Sequence, residues 1–360
     1  MKRILSKFTF WLPAIVWILI VILESTLFKI HELFYLVSAF IPFLSLMIIV
    51  YFAVIYAVKR SKRNKLVFLT VLVISLVKYT DHWVSFRTSA PENGIELNVL
   101  TWNVQRLGAL SSSQVSATNL KQLSMTLNSS KADVVVIQEI SKRQTFQLID
   151  YLIMDSKNMQ WSNYYPGSKG GLAILLLEDN DWSLSNKQIT DLPPSWKCVY
   201  SELKHRTGQK VNVFGVHIAP PKVTDFEVRK ATKKVLLGKR SGIKNILRRY
   251  VRQAKIQTKQ VDKINNLVSK FNDPTIVAGD FNTTCQLPLH RELRENLNDT
   301  WLKGGFGIGA TRYWAGVFPF RIDYIYATKN IEITTTNIGK SEFSDHNPVI
   351  SKLFIKEPKL

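Results

Sequence analysis

An α/β domain carried behind an N-terminal membrane anchor is the architecture predicted by the 360-residue sequence. Three observations point there. Charge-free apolar stretches crowd the first 85 residues, short β-branched runs bounded by turn residues recur beyond Phe86, and helix-spaced apolar patterns lie between some of those runs. A hydrophobic share of 46%, with 13 Pro and 16 Gly, excludes a disordered or collagen-like chain. Two cysteines, Cys198 and Cys285, are too few for a disulfide scaffold or a cysteine-built zinc site, though they leave room for a single bridge.

The anchor reads as two to three transmembrane helices over residues 1–87, with spans at about 8–28, 33–58 and 66–83. Phe8 to Leu23 carries no charge, and the apolar character resumes at Leu27-Phe28. Leu33 to Val58 is 26 residues without a charge, long enough to cross a bilayer with tilt. The third run, Leu66 to Val77, has 12 residues and reaches about 18 Å against a hydrocarbon core of about 30 Å. It spans if Lys65 and Lys78 snorkel or if the helix continues towards Trp83, and it lies on the membrane surface otherwise. Lys2, Arg3 and Lys7 precede the first span, and Lys59, Arg60, Lys62, Arg63 and Lys65 follow the second. The positive-inside rule therefore puts the N-terminus in the cytoplasm, and three spans deliver the rest of the chain to the outer, periplasmic or extracellular side.

Residues 88–360 read as one layered domain. Strands are expected at Leu97–Trp102, Val134–Ile137, Leu172–Leu177, Val211–His217, Thr275–Val277, Ile322–Tyr326 and Val349–Phe354. Ile243, Ile246, Tyr250, Ala254, Val261, Ile264 and Val268 recur at helical spacing. No repeat of solenoid or propeller length is present.

Polar residues close these runs. Asn103 ends one strand, Gln138-Glu139 the next, His217 a third, and Asp280-Phe281-Asn282 a fourth; Asp323 sits in Arg-Ile-Asp-Tyr-Ile, and Asp345-His346 precedes the last strand. Strand ends present ligand groups rigidly, and a carboxylate beside an apolar strand is costly to bury unless it is paired or bound to a cation. Carboxylates, amides and histidines without a cysteine make an oxygen-rich site for a hard cation such as Mg²⁺ or Mn²⁺, which suits phosphoester hydrolysis. Taken singly, each residue has a plainer reading as a cap, a turn residue or a satisfied core histidine.

The ordered set Trp-Asn, Gln-Glu, Gly-Val-His, Gly-Asp-Phe-Asn, Arg-Ile-Asp-Tyr-Ile and Ser-Asp-His-Asn-Pro-Val resembles the endonuclease/exonuclease/phosphatase superfamily, the deoxyribonuclease I-like fold, from about Asn98 to Leu353. The resemblance implies a four-layered sandwich of two mixed β-sheets flanked by helices. It implies a metal-dependent hydrolase of phosphate esters, with Glu139 as principal metal ligand supported by Asn103 and Asp345. Asp280 and Asn282 would orient the attacking water and the phosphate, Asp323 would hold His346, and His217 would donate to a phosphate oxygen or the leaving group. The general base stays open between Asp280 and His346. His31, His82, His205 and His290 belong to no motif and are expected to be structural, and Gly170-Gly171 to serve close packing.

One stretch departs from a generic member. The formal charge is +21 overall and +13 beyond residue 90, and Arg229 to Lys263 alone holds 13 basic residues against Asp262. Arg248, Arg252 and Lys255 are candidate contacts to anionic lipid or a phosphate-rich substrate, and a solvated helix face is the plainer alternative. Trp314 and Arg321, beside the aromatic cluster Phe306 to Phe320, are further candidates for substrate or membrane contact. The leading expectation is a membrane-anchored phosphoesterase acting on a lipid-linked phosphate or small phosphodiester. A tethered nuclease acting on nucleic acid is the second, and a catalytically inactive binding domain the third. No protein partner is inferable.

Overall fold

In the computed structural model, the described residues are 11–21, 33–83, 94–108, 117–154, 159–164, 170–177, 181–221, 227, 230, 241–314 and 316–356. The ends of the expected first span, the boundary at 87–88, and residues 231–240 of the basic run lie outside them. Three N-terminal helices, α1 (Trp11–Val21), α2 (Leu33–Val58) and α3 (Lys62–Trp83), pack around Trp17, Ile41, Phe52, Val71 and Tyr79. Two polar side chains inside this bundle are paired: Trp17 Nε1 donates to Ser45 Oγ at 2.9 Å, and Ser45 Oγ donates to the Ile41 carbonyl. The Asn64 amide donates to Ser61 Oγ at 3.1 Å, an N-cap that starts α3 directly after α2. Among the described residues, Ile41–Val58 is the one segment long and apolar enough to cross a membrane, and Trp11–Val21 is a shorter apolar helix. Helix α3 extends the 12-residue run at both ends. Its 22 residues reach about 33 Å, but Lys62, Arg63, Lys65, Lys78 and Asp81 keep it from being uniformly apolar.

Beyond them the described residues form fourteen strands: β1 (Ile95–Asn103), β2 (Val134–Ile140), β3 (Met159–Tyr164), β4 (Gly171–Leu177), β5 (Trp182–Leu192), β6 (Trp196–His205), β7 (Lys210–His217), β8 (Thr275–Asp280), β9 (Leu297–Asp299), β10 (Arg312–Trp314), β11 (Phe318–Phe320), β12 (Asp323–Thr328), β13 (Ile331–Ile338) and β14 (Val349–Ile355). One six-stranded sheet runs β13-β14-β1-β2-β4-β3, the other runs β5-β6-β7-β8-β12-β9, and β10-β11 is a separate hairpin. Each sheet is mixed, with one parallel pair, β1 with β2 and β7 with β8. All seven expected strands are present. Helices α4 (Ala117–Ser130) and α5 (Lys142–Met154) cover the first sheet, and α6 (Ser241–Val268) and α7 (Pro288–Asn296) cover the second; a short helix, α8 (Thr300–Gly304), follows β9.

Period-2 alternation builds this sandwich. Leu97 and Val99 of β1, Val134 and Val136 of β2, Val211 and Val213 of β7, Ile276 and Ala278 of β8, and Ile325 and Ala327 of β12 meet between the sheets. Each fully buried Val, Leu or Ile contributes about 1.5–3 kcal/mol relative to exposure. Continuing the same alternation to the strand ends carries Asn103, His217, Asp280 and Asp323 onto the inner face. The site is the open end of the inter-sheet layer.

Candidate active site

Strand register lines up half of the site. His217 of β7 pairs with Asp280 of β8, and Asp280 with Asp323 of β12, one row across three neighbouring strands. Gly279 permits this. Its φ is +153°, and a Cβ there would stand 1.9 Å from the Val216 carbonyl oxygen, so any larger residue would push β8 away from β7. In the facing sheet Asn103 pairs with Gln138. Gln138 itself is buried and donates to Thr101 Oγ1 and the Val136 carbonyl, a structural role.

Simple alternation would send Glu139 outward. The register of β2 on β4 shifts between Gln138 and Ile140, and Glu139 takes φ +57°, so a bulge re-aims its side chain. Gly170 backs onto this bulge: a Cβ there would lie 3.0 Å from the Glu139 carbonyl carbon and oxygen. Behind it, the Gln144 amide donates to Ser141 Oγ and the Ser141 amide to Gln144 Oε1, a capping box that fixes α5.

Asp280 Oδ2 is where the side chains converge. It accepts from Asn103 Nδ2 at 2.9 Å and Asn282 Nδ2 at 3.1 Å, while Asp280 Oδ1 accepts the Asn282 backbone N–H at 2.8 Å. His217 Nε2 lies 3.7 Å and His346 Nε2 4.0 Å from the same oxygen. Asn103 Nδ2 also donates to Glu139 Oε1 at 3.2 Å, and His217 Nε2 stands 3.9 Å from that oxygen. His217 Nε2 is buried without a hydrogen-bond partner, between two carboxylates. On the other side, the His346 Nδ1 position bonds Asp323 Oδ2 at 2.9 Å. The loop before it is pinned: Ser344 Oγ donates to the Asn103 carbonyl at 2.7 Å, and Trp102 Nε1 donates to the His346 carbonyl at 2.9 Å. All eight candidate catalytic and metal residues therefore sit in one contiguous group, with Asp345 Oδ1 joined at 3.8 Å from His346 Nε2.

Burial divides the group. Asp280, Asp323 and His346 are 1%, 0% and 4% exposed, whereas the Glu139 and Asp345 side chains are 28% and 39% exposed. Burial raises the Asp280 pKa, and the neighbouring Asp323 raises it further, against the pull of His346, His217 and Asn103. For His346, burial alone would lower the pKa; the Asp323 and Asp280 carboxylates outweigh it and lift it from 6.5 to about 9. One ligand atom from each of Asp280, Asp323 and His346 lies within 4.8 Å of the others, a spacing that a metal could also use. An imidazole that keeps its proton between these carboxylates has no lone pair to give a cation, whereas a neutral one would offer Nε2. The half-exposed Glu139 carboxylate with Asn103 is the oxygen-donor set that fits a hard divalent cation.

The candidate contacts outside the centre fare differently. Arg248, Arg252 and Lys255 are exposed on α6, with Lys259 and Lys263 continuing the stripe, so they lie on the outer helical layer. The opposite face grips the site's backbone: Gln257 Nε2 donates to the Ala219 and Asn282 carbonyls, and Gln260 Oε1 accepts the Ala219 N–H. Trp314 is half-buried against Phe318, ring centroids 5.8 Å apart. Arg321 is a correction. It is 5% exposed, donates through Nη1 to both Asp299 oxygens at 2.8 Å and stacks on Tyr324, which turns it into the core, while its Nη2 is buried without a hydrogen-bond partner. Cys198 and Cys285 are both buried and form no disulfide, which removes the bridge; burial pushes the Cys198 thiol up to about 11. His290 is a core histidine between Thr283 and Tyr326, and His205 bonds Thr207.

Two neighbours of the site carried no motif signal. Arg312, on the hairpin, places Nη2 2.7 Å from Asp345 Oδ2 and bridges to His346 through its backbone. Trp196 sets its ring edge-on to His217 at 5.4 Å.

Residues 100–346 match the profile described as the Endonuclease/Exonuclease/phosphatase family. Among solved structures, an endonuclease/exonuclease/phosphatase from Bacteroides vulgatus is similar at 14% identity and TM-score 0.52, covering 73% of this chain and 100% of that one. D. rerio TDP2 complexed with a single-strand DNA product is similar at 16% identity and TM-score 0.54, covering 72% and 98%. A mannosyl-6-phosphatase from Bacteroides thetaiotaomicron is similar at 17% identity and TM-score 0.50, covering 71% and 99%. No curated protein matches the sequence. At these identities the structural likeness speaks for the fold, and the four-layered sandwich expected from the sequence is the fold observed.

Proposed function

The chain belongs to the endonuclease/exonuclease/phosphatase family, a family of ester-bond hydrolases, and from that premise we propose a membrane-anchored, divalent-metal-dependent phosphoesterase. Residues 88–360 form its catalytic domain, on the outer side of the membrane, and α1 to α3 its anchor. The observation that carries the reading is the convergence of two amides and two imidazoles on one buried carboxylate oxygen of Asp280.

The chemistry follows from the two raised pKa values. A carboxylate made more basic by burial beside an imidazole kept charged assigns the base to Asp280 and the acid to His346. Asp280 Oδ2 takes a proton from water while the water oxygen bonds to phosphorus in line with the leaving oxygen. The P–O ester bond breaks, its electron pair stays on the leaving oxygen, and that oxygen is protonated from the imidazolium. Asp323 holds Nδ1 and so aims Nε2 towards the phosphate. Asn282 orients Asp280 through its side chain and backbone, and the unpartnered Nε2 of His217 is placed to bond a phosphate oxygen. Glu139 and Asn103 would hold Mg²⁺ or Mn²⁺, with Asp345 completing the set once released from Arg312. The ion would neutralise charge on the phosphate oxygens.

The exposed cations of α6 favour a second reading, a tethered nuclease on which this stripe tracks a phosphate backbone. The full-length protein in detergent, given Mg²⁺ or Mn²⁺, is tested on phospholipids, sugar phosphates and single-stranded DNA. Asp280→Asn should lower turnover of the true substrate about 10²–10⁴-fold without loss of fold. Equal turnover by wild type and variant would remove Asp280 from the mechanism.

A further inference from the structure

We propose that Gln105 is a positioning residue for the ion-binding side chains. From a left-handed turn after β1 it sets the Asn103 carboxamide with its main chain and holds the Asp345 segment with its side chain. Glu139, Asn103 and Asp345 hold the ion in the phosphoesterase reading, on which this inference rests.

The backbone just after Asn103 is left-handed for several residues in a row. Gln105, Arg106 and Leu107 take φ +45°, +55° and +57°, and Gly108 follows at +69°. This conformation is costly for a residue with a Cβ, and such residues normally adopt it singly. A run of this kind persists only where its surroundings over-determine it. Here they do. The Leu107 N–H donates to the Val104 carbonyl at 2.7 Å, and the Leu107 side chain is buried in the core. Asn119 Nδ2 of α4 donates to the Leu107 carbonyl at 2.7 Å, and Gln144 Nε2 of α5 donates to the Arg106 carbonyl at 2.6 Å. Gln144 also forms the capping box behind the Glu139 bulge, so one buried side chain fixes the turn and the bulge together.

The bonds that the turn makes are directed at the site. The Gln105 N–H donates to Asn103 Oδ1 at 3.0 Å, which leaves Asn103 Nδ2 facing Glu139 Oε1 and Asp280 Oδ2. Gln105 Oε1 accepts the Asp345 N–H at 3.2 Å. That bond is a third tie between the end of β1 and the loop of Asp345 and His346, beside Trp102 Nε1 on the His346 carbonyl and Ser344 Oγ on the Asn103 carbonyl. The other two ties are buried or partly buried, whereas the Gln105 tie is exposed, where water competes and a hydrogen bond adds little stability. A residue held in a costly conformation for an exposed bond serves the geometry of its partner more than the stability of the fold. The partner is Asp345, whose carboxylate is held by Arg312 and whose main chain is held by Gln105. Groups that orient metal ligands in this way tune the affinity for the ion.

The test follows Mn²⁺ bound by the full-length protein in detergent, with thermal unfolding of the same samples. Gln105→Gly deletes the side-chain acceptor and suits a positive φ. Its Tm should stay within about 3 °C of wild type or rise, while its Mn²⁺ affinity falls about tenfold. Gln105→Glu keeps an acceptor oxygen at the same reach and should bind Mn²⁺ at least as tightly as wild type. Unchanged affinity in Gln105→Gly, a larger fall in its Tm, or a Gln105→Glu variant as weak as Gln105→Gly would overturn the inference. Glu139→Gln is the control for the site. Mn²⁺ affinity left intact by that change would instead overturn the ion-binding reading of Glu139, so the two failures are distinguishable. A second readout needs no ion. Hydrogen exchange of residues 344–347 should be faster in Gln105→Gly and at the wild-type rate in Gln105→Glu. Equal exchange in all three proteins would contradict a hold on Asp345.

Discussion

The inner and outer halves of the site hold the same kinds of side chain in opposite surroundings. Asp280, Asp323 and His346 are sealed between the sheets, and their charges answer one another. Glu139 and Asp345 face solvent, one on a bulge and the other on a loop, with Arg312 as the only side-chain counter-charge within salt-bridge distance of Asp345 other than His346 among the described residues. A sealed carboxylate–imidazole group keeps a proton in a fixed place, whereas open carboxylates can exchange water, a cation and substrate. On the proposed reading, burial, more than residue type, separates proton handling from ion binding.

A third buried carboxylate sharpens this contrast. Asp299 is as sealed as Asp280, but both its oxygens are taken by Arg321 and its Oδ1 also accepts the Trp301 N–H. With both oxygens held by one guanidinium nitrogen, Asp299 has nothing to offer a reaction. Arg321→Ala should therefore cost about 3–5 kcal/mol of stability by leaving Asp299 unpaired, while KM for any substrate is unchanged in the folded fraction. Chemical denaturation with parallel kinetics measures both. A raised KM at unaltered stability would restore Arg321 as a substrate contact.

The proton-holding half carries a pH signature. With its folded-state pKa raised from 6.5 to about 9, His346 contributes about 3 kcal/mol that is fully present below pH 6.5. That contribution is lost as pH rises through 9. Asp323→Asn removes the leading carboxylate and should flatten the fall of Tm between those limits. An unchanged slope would mean that another group titrates there.

Much of this site was legible because period-2 alternation and residue type agree. Inward-facing positions that should be apolar are instead Asn103, His217, Asp280 and Asp323, and each lies at a strand end. The central strands were legible for a related reason: buried on both faces, they read as continuous β-branched runs. Strand β5 was not, because Ser-Asn-Lys-Gln alternates polar residues along an exposed strand with no apolar period to find. Glu139 was identified by its motif, but its orientation depends on a bulge that alternation alone gets backwards. Arg312 and Arg321 show the limit most clearly. Their partners lie 33 and 22 residues away, and only the fold decides that Arg312 meets the site while Arg321 turns into the core.

The division of labour between the two halves is tested most directly by titrating Mn²⁺ into the full-length protein and its Glu139→Gln and Asp323→Asn variants, following bound ion. Glu139→Gln should weaken binding by about tenfold or more, and Asp323→Asn should leave it close to wild type. If Asp323→Asn abolishes binding while Glu139→Gln retains it, the buried Asp280–Asp323–His346 trio is the metal centre and the division is wrong.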